Sequence, residues 1–193
     1  MKAKKVLALV LCAALLVAGS VAATLAYLTS KTDVVTNTFS VGDVKITLDE
    51  AKVDVYGEVV AGDRRMENTY KLIPGHTYVK DPTVHVAKGS EECWLFVRVE
   101  NGIVNYEAVG NTTIAAQMVA NGWTKLDGVD NVYYHAVVDA RNEAKDVKVF
   151  ESFKIADDAE CAAAVVNVTA YAIQADGFED NVAGAWDAVK DAQ

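Results

Sequence analysis

Residues Cys93–Glu100 read CWLFVRVE. The alternation in this stretch decides the fold class. Cys93, Leu95, Val97 and Val99 share one face, and Trp94, Phe96 and Arg98 share the other. A period of two, carried by β-branched and aromatic residues, is a strand, and its aliphatic face is expected to point inward.

Similar runs flank it on both sides. Val44, Ile46 and Leu48 alternate with Lys45, Thr47 and Asp49, just after a bend at Gly42-Asp43. Tyr78–Val86 is a second extended run, interrupted by Pro82. A proline removes a ladder donor, so this strand is expected at a sheet edge or bulged. Ile73-Pro74-Gly75-His76 has the residues of a type II turn, with proline second and glycine third, where φ is positive. Val132–Val138, Val147–Ile155 and Val165–Gln174 complete the strands, and the last (VVNVTAYAIQ) is expected to be central.

Two segments follow helical spacing instead. Thr113–Val119 places Ile114, Ala115, Met118 and Val119 at i, i+1, i+4 and i+5, with Asn121-Gly122 as its stop. Asn181–Lys190 places Val182, Ala185, Trp186 and Val189 at i, i+3, i+4 and i+7, with Asn181 or Asp180 as cap. The expected fold is all-β with minor helices: a jelly-roll-like antiparallel β-sandwich with two short inserted helices, the alternative being an eight-stranded barrel.

Composition bounds the rest. The chain has 193 residues, 18 Lys+Arg, 27 Asp+Glu and a formal charge of −9, and 52% of it is hydrophobic, too much for a disordered chain. The acidic balance excludes a broad nucleic-acid-binding surface. With only two prolines and no repeat or linker, residues 27–193 are expected to form one domain.

Residues 1–26 read as a secretory signal. Lys2, Lys4 and Lys5 precede 21 uncharged residues from Val6 to Ala26, which end in a cluster of small side chains. A run of that length would also just span a bilayer, so an N-terminal anchor is the competing reading. Cleavage between Ala26 and Tyr27 removes three lysines and no acid, which takes the formal charge from −9 to −12. It leaves Cys93 and Cys161, either a disulfide of an exported protein or two buried thiols.

Catalytic signatures are few. The sequence has no HExxH, GxSxG or P-loop. His76 lies in the turn, His135 in a Tyr-rich strand, and His85 stands at no metal spacing from Glu91 and Glu92. Asp127–Asn131 and Asp176–Asp180 are acidic stretches of a kind that suits calcium, but neither has the EF-hand pattern, and both read as ordinary turns. Asn111-Thr112-Thr113 and Asn167-Val168-Thr169 match the short glycosylation pattern. No catalytic residue, metal or cofactor is expected.

One segment is more distinctive. Ala23–Leu48 carries Thr24, Ala26 and Tyr27, a polar stretch, then Asn37, Phe39 and Gly42 before a strand. It resembles the N-terminus of the TasA/camelysin family, exported proteins of Gram-positive bacteria whose signal peptide is handled by a dedicated signal peptidase, SipW. The resemblance continues through Leu72–His76, Lys80-Asp81-Pro82 and the strand from Trp94. Weaker echoes are Tyr133-Tyr134, Phe150 with Phe153, Ala170–Phe178, and Ala185-Trp186.

The resemblance implies a jelly-roll sandwich and a secreted cell-surface or biofilm-matrix protein. It also implies fibres in which the N-terminal strand of one subunit, here Tyr27, Leu28, Val34 and Val35 within residues 27–37, completes the sheet of the next. Eleven residues at about 3.3 Å each reach roughly 36 Å, enough to cross a sandwich. The expected partners are other copies of the chain, the signal peptidase and other matrix proteins, with the membrane touched only through the uncleaved signal. Camelysin-type members are described as metal-dependent proteases, but no such motif stands in this sequence and no catalysis is carried over. A different reading is a monomeric surface module for carbohydrate or protein, using an aromatic patch of Trp94, Phe96, Trp123, Tyr133 and Tyr134.

Overall fold

The structure is a computed structural model, and it describes residues 43–191. The signal segment, the cleavage position at Ala26 and Tyr27, and the donor residues Leu28, Val34 and Val35 lie outside the described residues. In chain order the elements are β1 (Ile46–Asp49), β2 (Thr77–Val79), β3 (Thr83–Val86), β4 (Cys93–Asn101), α1 (Ile114–Ala120), β5 (Trp123–Lys125), β6 (Val132–Val138), β7 (Lys145–Lys148), β8 (Ser152–Lys154), β9 (Val166–Gln174) and α2 (Val182–Val189). Every strand pairing is antiparallel, so the described part is all-β with two short helices.

The run Tyr78–Val86 is interrupted at Pro82 as expected, but its second half is flanked on both sides rather than at a sheet edge, and the expected strand Val147–Ile155 is broken in two as well. β3 lies between β1 and β7, while β2 pairs with β8. The register is nevertheless the same on both sides of the break, with Val79 opposite Ser152 and Thr83 opposite Lys148. Two backbone bonds bridge the gap: Lys80 N–H to Glu151 O at 3.2 Å and Val149 N–H to Pro82 O at 2.8 Å. Pro82 accepts but has no N–H to return. The Val149 carbonyl accepts from the Asn121 side chain at 3.3 Å. One long pair of strands is thus interrupted at its proline.

The second sheet has the order β5-β6-β4-β9. Among the described residues VVNVTAYAIQ is therefore an edge strand, not the central one expected, and β4 takes the centre between β6 and β9. Strand propensity measures fit to a pleated surface and says nothing of position within the sheet. Burial separates the two: Leu95, Phe96 and Val97 of β4 are fully buried, while Asn167 and Thr169 of β9 are exposed.

Two cores flank this sheet. The aliphatic face of β4 (Cys93, Leu95, Val97, Val99) meets Tyr78, Val84, Val86 and Phe153 of the other sheet in one shared cluster, which gives a sandwich-like arrangement. The opposite face is buried too: Phe96 joins Val132, Ala185, Trp186 and Val189 beneath α2. Both faces of β4 are thus apolar for a reason, because a helix covers the outer one. No ladder joins β1 to β9 or β5 to β7 among the described residues, so the sheets do not close into a barrel.

The helices start and stop where the capping residues stand. The Thr113 hydroxyl accepts the Ala116 N–H at 3.2 Å, and the Asn181 side chain accepts the Gly184 N–H at 2.9 Å. α1 buries Ile114 and Met118 only; Val119 is 64% exposed, so its apolar stripe is narrower than the spacing suggests. α2 follows the last strand and buries Ala185, Trp186 and Val189 as the spacing predicts. The type II turn is present: His76 N–H donates to Ile73 O at 3.2 Å and Gly75 has φ +77°.

Candidate strand-docking groove

The two lateral sides of the sandwich differ. On one side the rim formed by β7 and β8 is capped by residues from the β4–β5 connection and from β5 itself. The Gln117 carboxamide donates to Ser152 O at 2.8 Å and accepts from Ser152 N–H at 3.2 Å and Glu151 N–H at 3.0 Å. The Trp123 indole donates to Lys148 O at 2.8 Å, and Ala108 N–H donates to Lys154 O at 2.8 Å. On β8 the backbone groups of Ser152 and the carbonyl of Lys154 that a further strand would bind are thus served, and on β7 the carbonyl of Lys148 is.

On the other side β1 and β9 lie close together, but among the described residues no ladder joins them. Among the described residues β9 has a ladder with β4 alone. Gly102 N–H bonds Val165 O, and Ala175 N–H bonds Glu92 O, so odd-numbered residues of β9 point their backbone at β4. Val166, Val168, Ala170 and Ala172 therefore point theirs outward, and their side chains line the core only partly covered. The same holds on β1. Lys45 O accepts from Ala87 N–H, which turns the backbone of Ile46 and Leu48 toward this side, and Val44, Ile46 and Leu48 are half-buried. Glu50, at the end of β1, is closed by paired backbone bonds of 2.7 Å to Arg65.

Folded proteins guard such edges with charge, proline, bulges or shortness. β9 has none of these guards: nine residues, VNVTAYAIQ, without a charge or a proline and in unbroken register with β4. Two cavities, of about 300 and 750 Å³, share Glu50, Met66, Lys80, Val166 and Asn167 and together form a groove along this side. Leu72, Ile103 and Phe153 are among its apolar lining.

Its polar wall is prearranged. Glu50 and Lys80 form an ion pair at 2.5 Å with side chains 5% and 11% exposed. Asn68 donates to Glu50 Oε1 and to Ala51 O, both at 2.8 Å, and accepts from Val53 N–H at 3.1 Å. Lys80 Nζ also stands 5.8 Å from the centre of the Tyr70 ring. Burial, then the charges of Glu50 and Asp81, push the Tyr70 hydroxyl far above its ordinary pKa, so it stays neutral and donates to Val79 O at 3.2 Å. Arg64 ties the 50–72 connection to the sheet, bonding Asp49, Asp81 (2.9 Å) and the Thr83 hydroxyl (3.2 Å). Met66 overhangs the groove and is 88% exposed.

The structure holds Cys93 and Cys161 as free thiols rather than a disulfide. Cys93 is buried in the main core, where desolvation pushes its pKa up to about 11. Cys161 is half-buried on the groove wall. The aromatic patch is not assembled either. Phe96 is fully buried, with Trp94 and Tyr134 packed around the α2 core, while Trp123 is buried in the main core with Tyr133 against it. These side chains alternate along strands, so the sheet sends them to opposite faces.

The histidines are held locally. His76 bonds Tyr56 O at 2.8 Å, and His135 meets the Trp123 ring edge-on at 5.3 Å. His85 stands between two carboxylates, with Nδ1 2.6 Å from Asp146 and Nε2 2.9 Å from Asp49. Those carboxylates sit on opposite edges of the ring and bridge strands; they do not converge on a point where an ion would sit. Among the described residues no group of three or more His, Cys, Asp or Glu side chains is arranged to hold a metal, and no helix is long and apolar enough to cross a membrane.

Of the two acidic stretches, one joins β5 to β6 and the other leads into α2, where Glu179 accepts the Gly177 N–H at 3.0 Å. Asn111 is exposed in a loop, and Asn167 lies on the exposed face of β9 with its amide on Glu100 at 3.2 Å.

Glu50, Arg64, Asn68, Tyr70, Lys80 and Gln117 were not singled out by the sequence reading. Their one signal was indirect: Lys80 lies in the stretch Lys80-Asp81-Pro82 that carried part of the resemblance. Compared with known proteins, the chain matches no family model, and neither the curated proteins nor the solved structures give a match.

Proposed function

We propose that this chain is a secreted structural protein, a subunit of cell-surface or biofilm-matrix fibres that assemble by strand donation after signal-peptide cleavage. On this reading the sandwich-like pair of sheets is a jelly roll lacking one strand. The segment around Tyr27, Leu28, Val34 and Val35 of another copy fills the place beside β9. The observation that carries the reading is the asymmetry of the two sides among the described residues: one rim is capped at Lys148, Ser152 and Lys154, while the other has an uncharged nine-residue strand beside a groove.

Strand addition fits the chemistry of that edge. Outward N–H and C=O groups of Val166, Val168, Ala170 and Ala172 supply affinity, and the gaps between half-buried side chains receive alternate residues of the donor. Donation from one subunit to the next does not close on itself and so yields a filament. The resemblance of residues 23–48 to the TasA/camelysin family supports the same conclusion.

The test is electron microscopy of two purified proteins, one beginning at Tyr27 and one lacking residues 27–37. Filaments from the first and monomers from the second are expected. If the first stays monomeric at high concentration and at a salt that screens its charge, self-assembly is wrong, and the groove is then a site for a different partner.

A further inference from the structure

The outer face of the sheet formed by β1, β3 and β7 is a row of polar side chains. Thr47 lies opposite His85, and His85 lies opposite Asp146. Asp49, two residues along β1 from Thr47, reaches diagonally to the same imidazole. Both ring nitrogens therefore face carboxylate oxygens, Nδ1 at 2.6 Å and Nε2 at 2.9 Å.

A carboxylate accepts and does not donate, and a neutral imidazole has a single N–H. Two such bonds at once require the imidazolium form. Loss of its proton leaves one N–H for two acceptors and a lone pair facing the other. Arg64 also links Asp49 of β1 to Thr83 of β3, and β1 is the strand that borders the groove.

We propose that His85 is a proton-dependent clip that fastens the edge strand β1 to the rest of its sheet. The groups that face it are few. Asp49 comes from β1 and Asp146 from β7. Arg64, from the connection after β1, reaches it only through Asp49 and is itself shared with Asp81 and Thr83. The nearest lysines on the same face are engaged elsewhere, Lys45 with Asp43 at 2.9 Å and Lys148 with Glu151 at 2.9 Å.

Partial burial pulls the His85 pKa down, but the bonds to Asp49 and Asp146 and their charges outweigh it, and the net displacement is upward from 6.5. The sign follows. The clip's contribution is complete below pH 6.5 and is lost as the pH rises through the higher folded value. Arg64 keeps its hold on Asp49 throughout, so β1 loosens but does not detach. Any effect of this loosening on the groove rests on the strand-donation reading; the clip itself does not.

The test is hydrogen exchange of residues 43–50 in the chain beginning at Tyr27, kept dilute, at about pH 5.5 and about pH 8.5, with intrinsic rates divided out. Protection of β1 relative to β4 is expected to fall about 3- to 5-fold between the two, the size of one partly exposed ion pair. His85→Gln, on a solvent-facing surface, is expected to show the weaker protection at both. Asp146→Asn is expected to lower the His85 midpoint in an NMR titration. Equal pH profiles in the parent and His85→Gln, or a ring that titrates at or below 6.5, would overturn the proposal. None of these readouts needs a filament, so the clip and strand donation can fail separately.

Discussion

The Gln117 carboxamide meets the Ser152 backbone as the peptide group of another strand would, donating to its carbonyl at 2.8 Å and accepting its N–H at 3.2 Å. One side chain from α1 thereby ends the sheet at β8. Among the described residues no comparable group caps β9, whose Val166 and Val168 border the groove while β1 lies alongside. The two sides of the molecule have opposite relations to further strand pairing, and the tests below follow from that difference.

Ala170→Pro should separate folding from assembly. The N–H of Ala170 points away from β4, so proline removes nothing from the existing ladder. The variant is expected to melt within about 3 °C of the parent, a change of roughly 1 kcal/mol. Its filaments, by electron microscopy, should be absent or sparse. Normal filaments from Ala170→Pro would rule out β9 as the acceptor edge.

Gln117→Ala uncaps the sealed side. It removes three hydrogen bonds to the backbone of Glu151 and Ser152. At about 1 kcal/mol for each bond not replaced by water, a loss of about 1–2 kcal/mol is expected. Urea denaturation measures it, and faster exchange at Glu151 and Ser152 would locate it.

Lys80→Met strands the carboxylate of Glu50 in the groove wall, since both side chains of this pair are nearly buried. A cost of about 3–5 kcal/mol is expected, because a buried charge is left without its partner. The double variant Glu50→Gln with Lys80→Met should recover most of that loss. A double variant no better than Lys80→Met alone would show that the pair does not act as a unit.

Thiol chemistry distinguishes the cysteines. In the folded chain from Tyr27, Cys161 is half-exposed, whereas Cys93 is buried with its pKa pushed up to about 11. At about pH 8 one thiol should react with a disulfide reagent, and the second only after denaturation, at least about 100-fold more slowly in the native protein. A chain with no reactive thiol until a reductant is added would show that the two are joined after all.

Several features were legible in the sequence because their causes are local. The alternation in CWLFVRVE marks β4, the Ile73–His76 stretch marks its turn, and Thr113 and Asn181 mark the starts of α1 and α2. Each depends on side chains within a few residues of one another. The interruption at Pro82 is legible for a local reason as well, since a proline stops one ladder bond, but the sequence does not say that the strand resumes in the same register.

Position in the sheet was not legible. VVNVTAYAIQ and CWLFVRVE are equally good strands by composition, yet among the described residues one is an edge and the other the centre. The groove is harder still to foresee. Glu50, Asn68 and Lys80 meet across 30 residues of chain, and Gln117 caps backbone 35 residues away.

The sequence by itself determined that this is an all-β chain with two short helices, because periodicity and capping are properties of neighbouring residues. Only the tertiary structure decided which strand edge is capped and which is left open. That choice depends on where a hydrogen-bonding side chain from a distant segment comes to rest, which no local pattern encodes.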